Sequence, residues 1–108
     1  MGRRRRGLCR AHLRLRFTPE AATQIRKLHP EIRRRIRDGL RQLQNDPLLG
    51  HALQFDLAGL RSRRAGNYRI IYRIDEEQGA LDVLYVGRRR DVYENLRELL
   101  AAKRSRGF

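Results

Sequence analysis

A chain of 108 residues with 40% hydrophobic content makes one small domain, able to bury roughly 60–70% of its unfolded surface. Its net charge is +14 and 24 of its 26 basic residues are arginine; the planar guanidinium fork suits phosphate, so a polyphosphate partner is the leading inference, beside the plainer one of a soluble cationic surface. The single cysteine, Cys9, excludes an internal disulfide and lacks a metal-ligand pattern, and no apolar run approaches the ~20 residues that span a bilayer as a helix.

Residues 1–11 carry Arg3, Arg4, Arg5, Arg6 and Arg10 and read as a disordered basic arm. The stretch starts like a signal peptide but lacks the apolar segment that must follow. The folded domain is expected over 12–102, with a basic tail over 103–108. His12 to Phe17 alternates at period two, which predicts a strand with Leu13, Leu15 and Phe17 on one side. Thr18, Pro19 and Glu20 form a helix start: N-cap, first-turn proline and first-turn acid. Ala21, Ile25 and Leu28 are the inward stripe of that helix, and His29-Pro30 ends it. A second helix opens at Pro30 with the stripe Ile32, Ile36, Leu40 and Leu43. Arg33, Arg34, Arg37 and Arg41 lie off that stripe, as a solvated face or an RNA contact. The connector 48–58 is anchored to the core by Leu53, Phe55 and Leu57, and carries His51, the histidine best placed for proton transfer.

Residues 59–93 organise the rest. Arg61 to Arg64 fits a short strand, Ala65-Gly66-Asn67 a turn, and Tyr68 to Ile74 an alternating strand. Tyr68, Ile70, Tyr72 and Ile74 share one face of it, and Arg69, Ile71 and Arg73 the other. Asp75 to Gly79 is a hairpin loop. Leu81 to Val86 is apolar enough for a strand covered on both faces, and Gly87 ends it. This predicts an apolar interior and an arginine-studded outside. Asp91 caps a terminal helix with the stripe Val92, Leu96, Leu99 and Leu100. The fold class is α+β: strand, two helices, three antiparallel strands, terminal helix.

The candidate chemistry converges from separate positions. Arg61, Arg63, Arg64, Arg69, Arg88, Arg89 and Arg90 supply guanidiniums, and Tyr93 follows close behind. Such a set can hold a phosphodiester and stabilise the added charge of a pentavalent transition state. RNA brings its own nucleophile, the 2′-hydroxyl. A proton acceptor is still needed. Tyr93 can serve if neighbouring arginines favour its phenolate, and His51 is the other candidate. Packing for Tyr93 and binding without cleavage for the arginines are the plainer readings. Asp56, Asp75, Asp82 and Asp91 show no metal-ligand spacing, and no cofactor is expected.

GLRSRRAGNYRIIYRID followed by LYVGRRRDVY resembles the RelE/ParE superfamily of bacterial type II toxin–antitoxin toxins, on its RelE-like side. The resemblance covers about residues 12–100 and includes the helical hairpin and the connector PLLGHALQFDLAGL. It implies a small antiparallel sheet packed on an N-terminal helical hairpin. It also implies a cytoplasmic, metal-independent endoribonuclease acting on mRNA at the ribosome, and a cognate antitoxin. On this resemblance Arg69 is the phosphate-binding arginine of the central strand and Arg89 the arginine after the last strand. Tyr93 is the catalytic aromatic, and Arg64 is a basic position on the first hairpin strand. Arg61, Arg63, Arg88 and Arg90 are RNA-binding candidates. Three features depart from the family. Arg61, Ser62 and Arg63 replace a lysine pair, Arg88 stands where many relatives have histidine, and His51 lies near a position that is acidic in some. A ParE-like inhibitor of DNA gyrase and a basic nucleic-acid-binding module are the alternatives. The surplus positive charge is expected to be covered by an acidic antitoxin segment that folds on binding.

Overall fold

A computed structural model of the chain describes residues 12–88 and 92–105. The basic arm, Arg89, Arg90, the Asp91 cap and residues 106–108 lie outside the described residues.

Strand β1 (Arg14–Phe17) leads into α1 (Pro19–Arg26) and α2 (Pro30–Asn45). The Thr18 hydroxyl caps α1 by accepting from the Ala21 N–H at 3.1 Å while donating to the Leu84 carbonyl at 2.9 Å. The cap therefore also pins α1 to the sheet. His29 caps α2 by accepting from the Glu31 N–H through Nδ1. A 3₁₀ turn (Pro47–Leu49), the two-residue strand β2 (His51–Ala52) and a second 3₁₀ turn (Phe55–Leu57) make up the connector. Then come β3 (Arg61–Ala65), β4 (Tyr68–Asp75), β5 (Ala80–Arg88) and α3 (Val92–Ser105). Helix α3 thus extends into the stretch read as a tail.

The sheet order is β1-β5-β4-β3-β2. Strands β3 to β5 are antiparallel as expected, β2 adds an antiparallel strand from the stretch read as a connector, and β1 pairs with β5 in parallel, so the sheet is mixed. The α1–α2 hairpin carries the chain from β1 to β2 at the opposite edge, and β3 and β4 bring it back so that β5 lies beside β1. The hairpin covers one face, where Leu13, Ala21, Ile36, Leu40, Leu43, Ile70, Tyr72, Leu81, Val83 and Val86 form the main core. Fully burying a side chain of Leu or Ile size contributes roughly 1.5–3 kcal/mol, so this cluster carries most of the fold's stability.

Four expectations need correction. The outer face is not simply arginine-studded: Ile71, Leu57, Val92 and Leu96 form a second small core there, because α3 folds back over the sheet. Phe17 is 43% exposed, since β1 is an edge strand. Phe55 is 90% exposed and anchors nothing. Gly87 does not end β5: it pairs with Arg69, and Arg88 pairs with Tyr68 beyond it.

Candidate functional site

Strand register decides which arginines meet. Directly opposed residues of an antiparallel pair project to the same face, with Cβ atoms roughly 4.5–5.5 Å apart. Arg64 opposes Arg69, and Arg69 opposes Gly87. One step along, His51 opposes Ser62, Ser62 opposes Ile71, and Ile71 opposes Tyr85. These two rows lie side by side under α3. Arg61 opposes Tyr72, Arg63 opposes Ile70, and Arg88 opposes Tyr68; those three project to the α1–α2 side.

The centre of the α3 side is Ser62, which is fully buried. Its Oγ accepts from Arg69 Nη1 at 3.1 Å and from the Tyr93 hydroxyl at 3.3 Å. The Arg69 guanidinium carbon stands 6.0 Å from the centre of the Tyr93 ring, at the outer reach of a cation–π contact. Tyr93 is brought here because Val92 and Leu96 are buried against Ile71. Among the described residues the other N–H groups of Arg69 have no protein acceptor. Within the described residues the guanidinium is thus oriented by one bond. Arg64 is exposed and, among the described residues, is held to the Gly66 carbonyl at 3.2 Å. His51 is exposed at the rim on β2. At Gly87 a Cβ would stand 2.7 Å from Cε2 of Tyr85, so glycine leaves room for that ring next to Arg69.

The other three arginines sit differently. Arg61 donates to the Gly50 carbonyl at 2.7 Å, to the Leu48 carbonyl at 3.2 Å and to the Tyr72 hydroxyl at 3.4 Å. The buried Tyr72 hydroxyl donates to the Pro47 carbonyl at 2.6 Å and accepts from the Gly50 N–H at 3.2 Å. This knot fixes the turn before β2 and so positions His51. Arg63 donates to Gln42 Oε1 on α2, and Arg88 lies over the Tyr68 ring. The structure therefore brings together Arg64, Arg69, Tyr93 and His51, and separates Arg61, Arg63 and Arg88 from them. Arg89 and Arg90 lie outside the described residues.

Ser62 is the residue that sequence reasoning passed over. The signal was its parity: in Arg61-Ser62-Arg63-Arg64, Ser62 alternates with Arg64 and shares its face.

A separate ionic cluster lies at the other end of the sheet. Arg16 bonds Asp82 at 2.6 Å and Asp75 at 2.9 Å, and Arg73 bonds Asp82 at 2.7 Å. The Arg16 hydrogen bond, then that of Arg73, holds the Asp82 carboxyl below the usual carboxylate range against its partial burial. The Gln78 backbone N–H, then Arg16, does the same for Asp75. The acids of β4 and β5 are thereby neutralised far from Arg69.

A five-stranded mixed sheet carries a helical hairpin on one face and an arginine–serine–tyrosine cluster under a terminal helix on the other, which makes this a small α+β domain. Residues 15–93 match the family described as ParE toxin of the type II toxin–antitoxin system, parDE, and the chain belongs to this family of toxins. It is 38% identical over 81 residues to Toxin RelG of Mycobacterium tuberculosis, spanning 73% of this chain and 93% of that protein. The toxin–antitoxin complex RelBE2 of the same organism superposes with a TM-score of 0.67 at 37% identity, over 71% of this chain and 91% of that one. The isolated Escherichia coli RelE toxin shares the fold, with a TM-score of 0.63 at 20% identity over 82% and 98% of the two chains. The protein is a toxin of a type II toxin–antitoxin system, a class that pairs with an antitoxin. No described helix is long and apolar enough to cross a membrane.

Proposed function

We propose that this toxin is an endoribonuclease that cleaves mRNA at the ribosome, in the cytoplasm, using the 2′-hydroxyl of its substrate as the nucleophile. The observation that carries the reading is the Arg69–Ser62–Tyr93 cluster with Arg64 beside it in register. A ribonuclease of this kind needs two things from the protein: charge at the phosphate and a group that moves a proton. Arg69, oriented by Ser62, donates to a non-bridging phosphate oxygen. Arg64 reaches the same phosphate from the neighbouring strand. Both strengthen as negative charge builds in the phosphorane. Tyr93 or His51 accepts the 2′-hydroxyl proton. The 2′-oxygen bonds to phosphorus, the bond to the 5′-oxygen breaks, and that oxygen takes up a proton. The products are a 2′,3′-cyclic phosphate and a 5′-hydroxyl. Arg89, by the resemblance, adds a further charge at the phosphate, and Arg90 an RNA contact. Arg61, Arg63 and Arg88 contribute longer-range attraction for RNA from the opposite side.

The antitoxin has a separate surface available. Leu15, Phe17, Ile25, Ile36 and Leu40 line a hollow of about 420 Å³ with Arg33, Arg37 and Arg41 at its side. An acidic amphipathic segment suits that combination of apolar floor and cationic wall.

A second reading is favoured by the ParE name of the matching family: a non-catalytic toxin that inhibits DNA gyrase. Induced expression separates the two. Mapping of mRNA 5′ ends shows new cuts if the ribonuclease reading holds, whereas intact mRNA with blocked DNA supercoiling supports the gyrase reading.

A further inference from the structure

Strand β1 stops short of the site. Its pairing with β5 ends at Phe17 and Val83, whereas the β5 residues opposite Ile71, Ile70 and Arg69 are Tyr85, Val86 and Gly87. From Leu84 onward β5 therefore has β4 on one side and, among the described residues, no strand on the other. The ladder is also irregular where β1 ends. Tyr72 opposes Val83 and Ile71 opposes Tyr85, so Leu84 is an extra residue that bulges the strand. A regular ladder continued from Tyr72 and Val83 would set Tyr85 opposite Ile70 and Val86 opposite Arg69. A slip of one residue exchanges the faces of every side chain beyond it. The bulge is thus what brings Gly87 opposite Arg69, turns Tyr85 to the α3 side and returns Val86 to the main core.

The start of α1 holds this stretch by its backbone. Thr18 N–H donates to the Val83 carbonyl at 3.1 Å, and the Thr18 hydroxyl to the Leu84 carbonyl at 2.9 Å. Further along α1, Gln24 Oε1 accepts from the Val86 N–H at 2.8 Å in a partly buried bond. Gln24 does for β5 what a neighbouring strand would do, where β1 no longer reaches.

We propose that Gln24 is a positioning residue of the ribonuclease site: acting through the Val86 N–H, it locks the β5 bulge and keeps Gly87 opposite Arg69. The inference rests on the ribonuclease reading and extends it to what fixes the register of the site. Arg69 is oriented by one acceptor among the described residues, so its aim depends on the strands beside it. A valine opposite it would bring a branched side chain to about 4.5–5.5 Å, Cβ to Cβ, where glycine now leaves room for the Tyr85 ring. In-line attack tolerates little misalignment, and a shift of about 1 Å can lower a rate by about 10²-fold.

Gln24→Leu keeps a good helix former of similar size but removes the acceptor, whereas Gln24→Glu keeps an oxygen for the Val86 N–H. The full chain and both variants are compared in cleavage of a defined mRNA with ribosomes present. Hydrogen exchange at the Val86 amide and denaturant titration are followed in parallel. Gln24→Leu is expected to lower kcat by about 10- to 100-fold per folded molecule, with KM little changed and Val86 exchange faster. Gln24→Glu is expected to restore both. A folded Gln24→Leu with wild-type kcat, or with Val86 exchange unchanged, overturns the proposal. So does activity that falls only in step with the folded fraction. Gly87→Val reads the same claim without touching α1, by setting a valine opposite Arg69. It is expected to lower kcat likewise, and wild-type kcat from that folded variant overturns the proposal too. In each of these cases wild type still cuts, and the ribonuclease reading stands. Wild type that cuts no mRNA refutes that reading and this inference with it.

Discussion

On the α1–α2 side of the sheet, Arg61 and Tyr72 close on backbone carbonyls of the turn at 47–50. On the α3 side, Arg69 and Tyr93 meet at one serine hydroxyl. Both faces use an arginine and a tyrosine from neighbouring elements. The difference lies in what surrounds them. Around Tyr72 the chain itself supplies donors and acceptors, and the residue is fully buried; around Arg69 the described residues supply one acceptor, the Ser62 hydroxyl. The same residue types therefore close on the chain itself on one face and, on the proposed reading, serve a ligand on the other. Alternation along β3 makes the division, placing Arg61 and Arg63 on one side and Ser62 and Arg64 on the other.

This comparison predicts that activity and stability separate by face. Tyr93→Phe should have the largest effect, lowering cleavage by about 10²–10⁴-fold if the hydroxyl moves a proton, with the ring and its packing retained. Arg69→Ala should lower cleavage by about 10²–10³-fold and leave the circular dichroism spectrum unchanged, since its side chain lies outside the main core. Leu43→Ala works from the other face. Leu43 is fully buried, so its truncation should destabilise by about 2–5 kcal/mol in denaturant titration, with activity per folded molecule unchanged. Ser62→Ala should be milder, about tenfold in rate, because it removes only the acceptor that orients Arg69 and Tyr93; a change in the pH profile along with the rate would mark it as a positioning residue.

The smallest effect belongs to the ionic cluster. Asp82 and Asp75 titrate lower in the folded chain than in the unfolded one. Their contribution to stability is therefore present above the ordinary carboxylate range, near pH 4, and is lost as pH falls through their lowered folded values. Acid unfolding followed by circular dichroism should show a steepening below about pH 4. Arg16→Ala should flatten it, because both acids lose their main side-chain partner.

Much of this is legible in the sequence. The cap at Thr18, the helix break at His29-Pro30, the stripes of α1 and α2 and the period-two pattern of Tyr68 to Ile74 are local signals, and local signals survive in a sequence. The parallel pairing of β1 with β5 joins residues more than sixty positions apart, and nothing near Arg14 announces it. The bulge between Ile71 and Tyr72 shifts the register with β5, again without a local mark. Phe55 misled because Leu53, Phe55 and Leu57 alternate like a strand, whereas a 3₁₀ turn rotates Phe55 outward and Leu57 inward. For the site, the convergence of Arg64, Arg69 and Tyr93 followed from the resemblance. Grouping Arg61, Arg63 and Arg88 with them ignored strand parity, which the sequence did contain.

The most direct measurement of the central claim is cleavage of a defined mRNA by the purified toxin, with and without ribosomes, with the chemistry of the new ends determined. Wild type is expected to produce 2′,3′-cyclic phosphate and 5′-hydroxyl ends, and folded Arg69→Ala and Tyr93→Phe to produce almost none. If both folded variants cut at the wild-type rate, the α3 face is not the site. If wild type leaves the mRNA whole and blocks DNA supercoiling, the protein acts on gyrase.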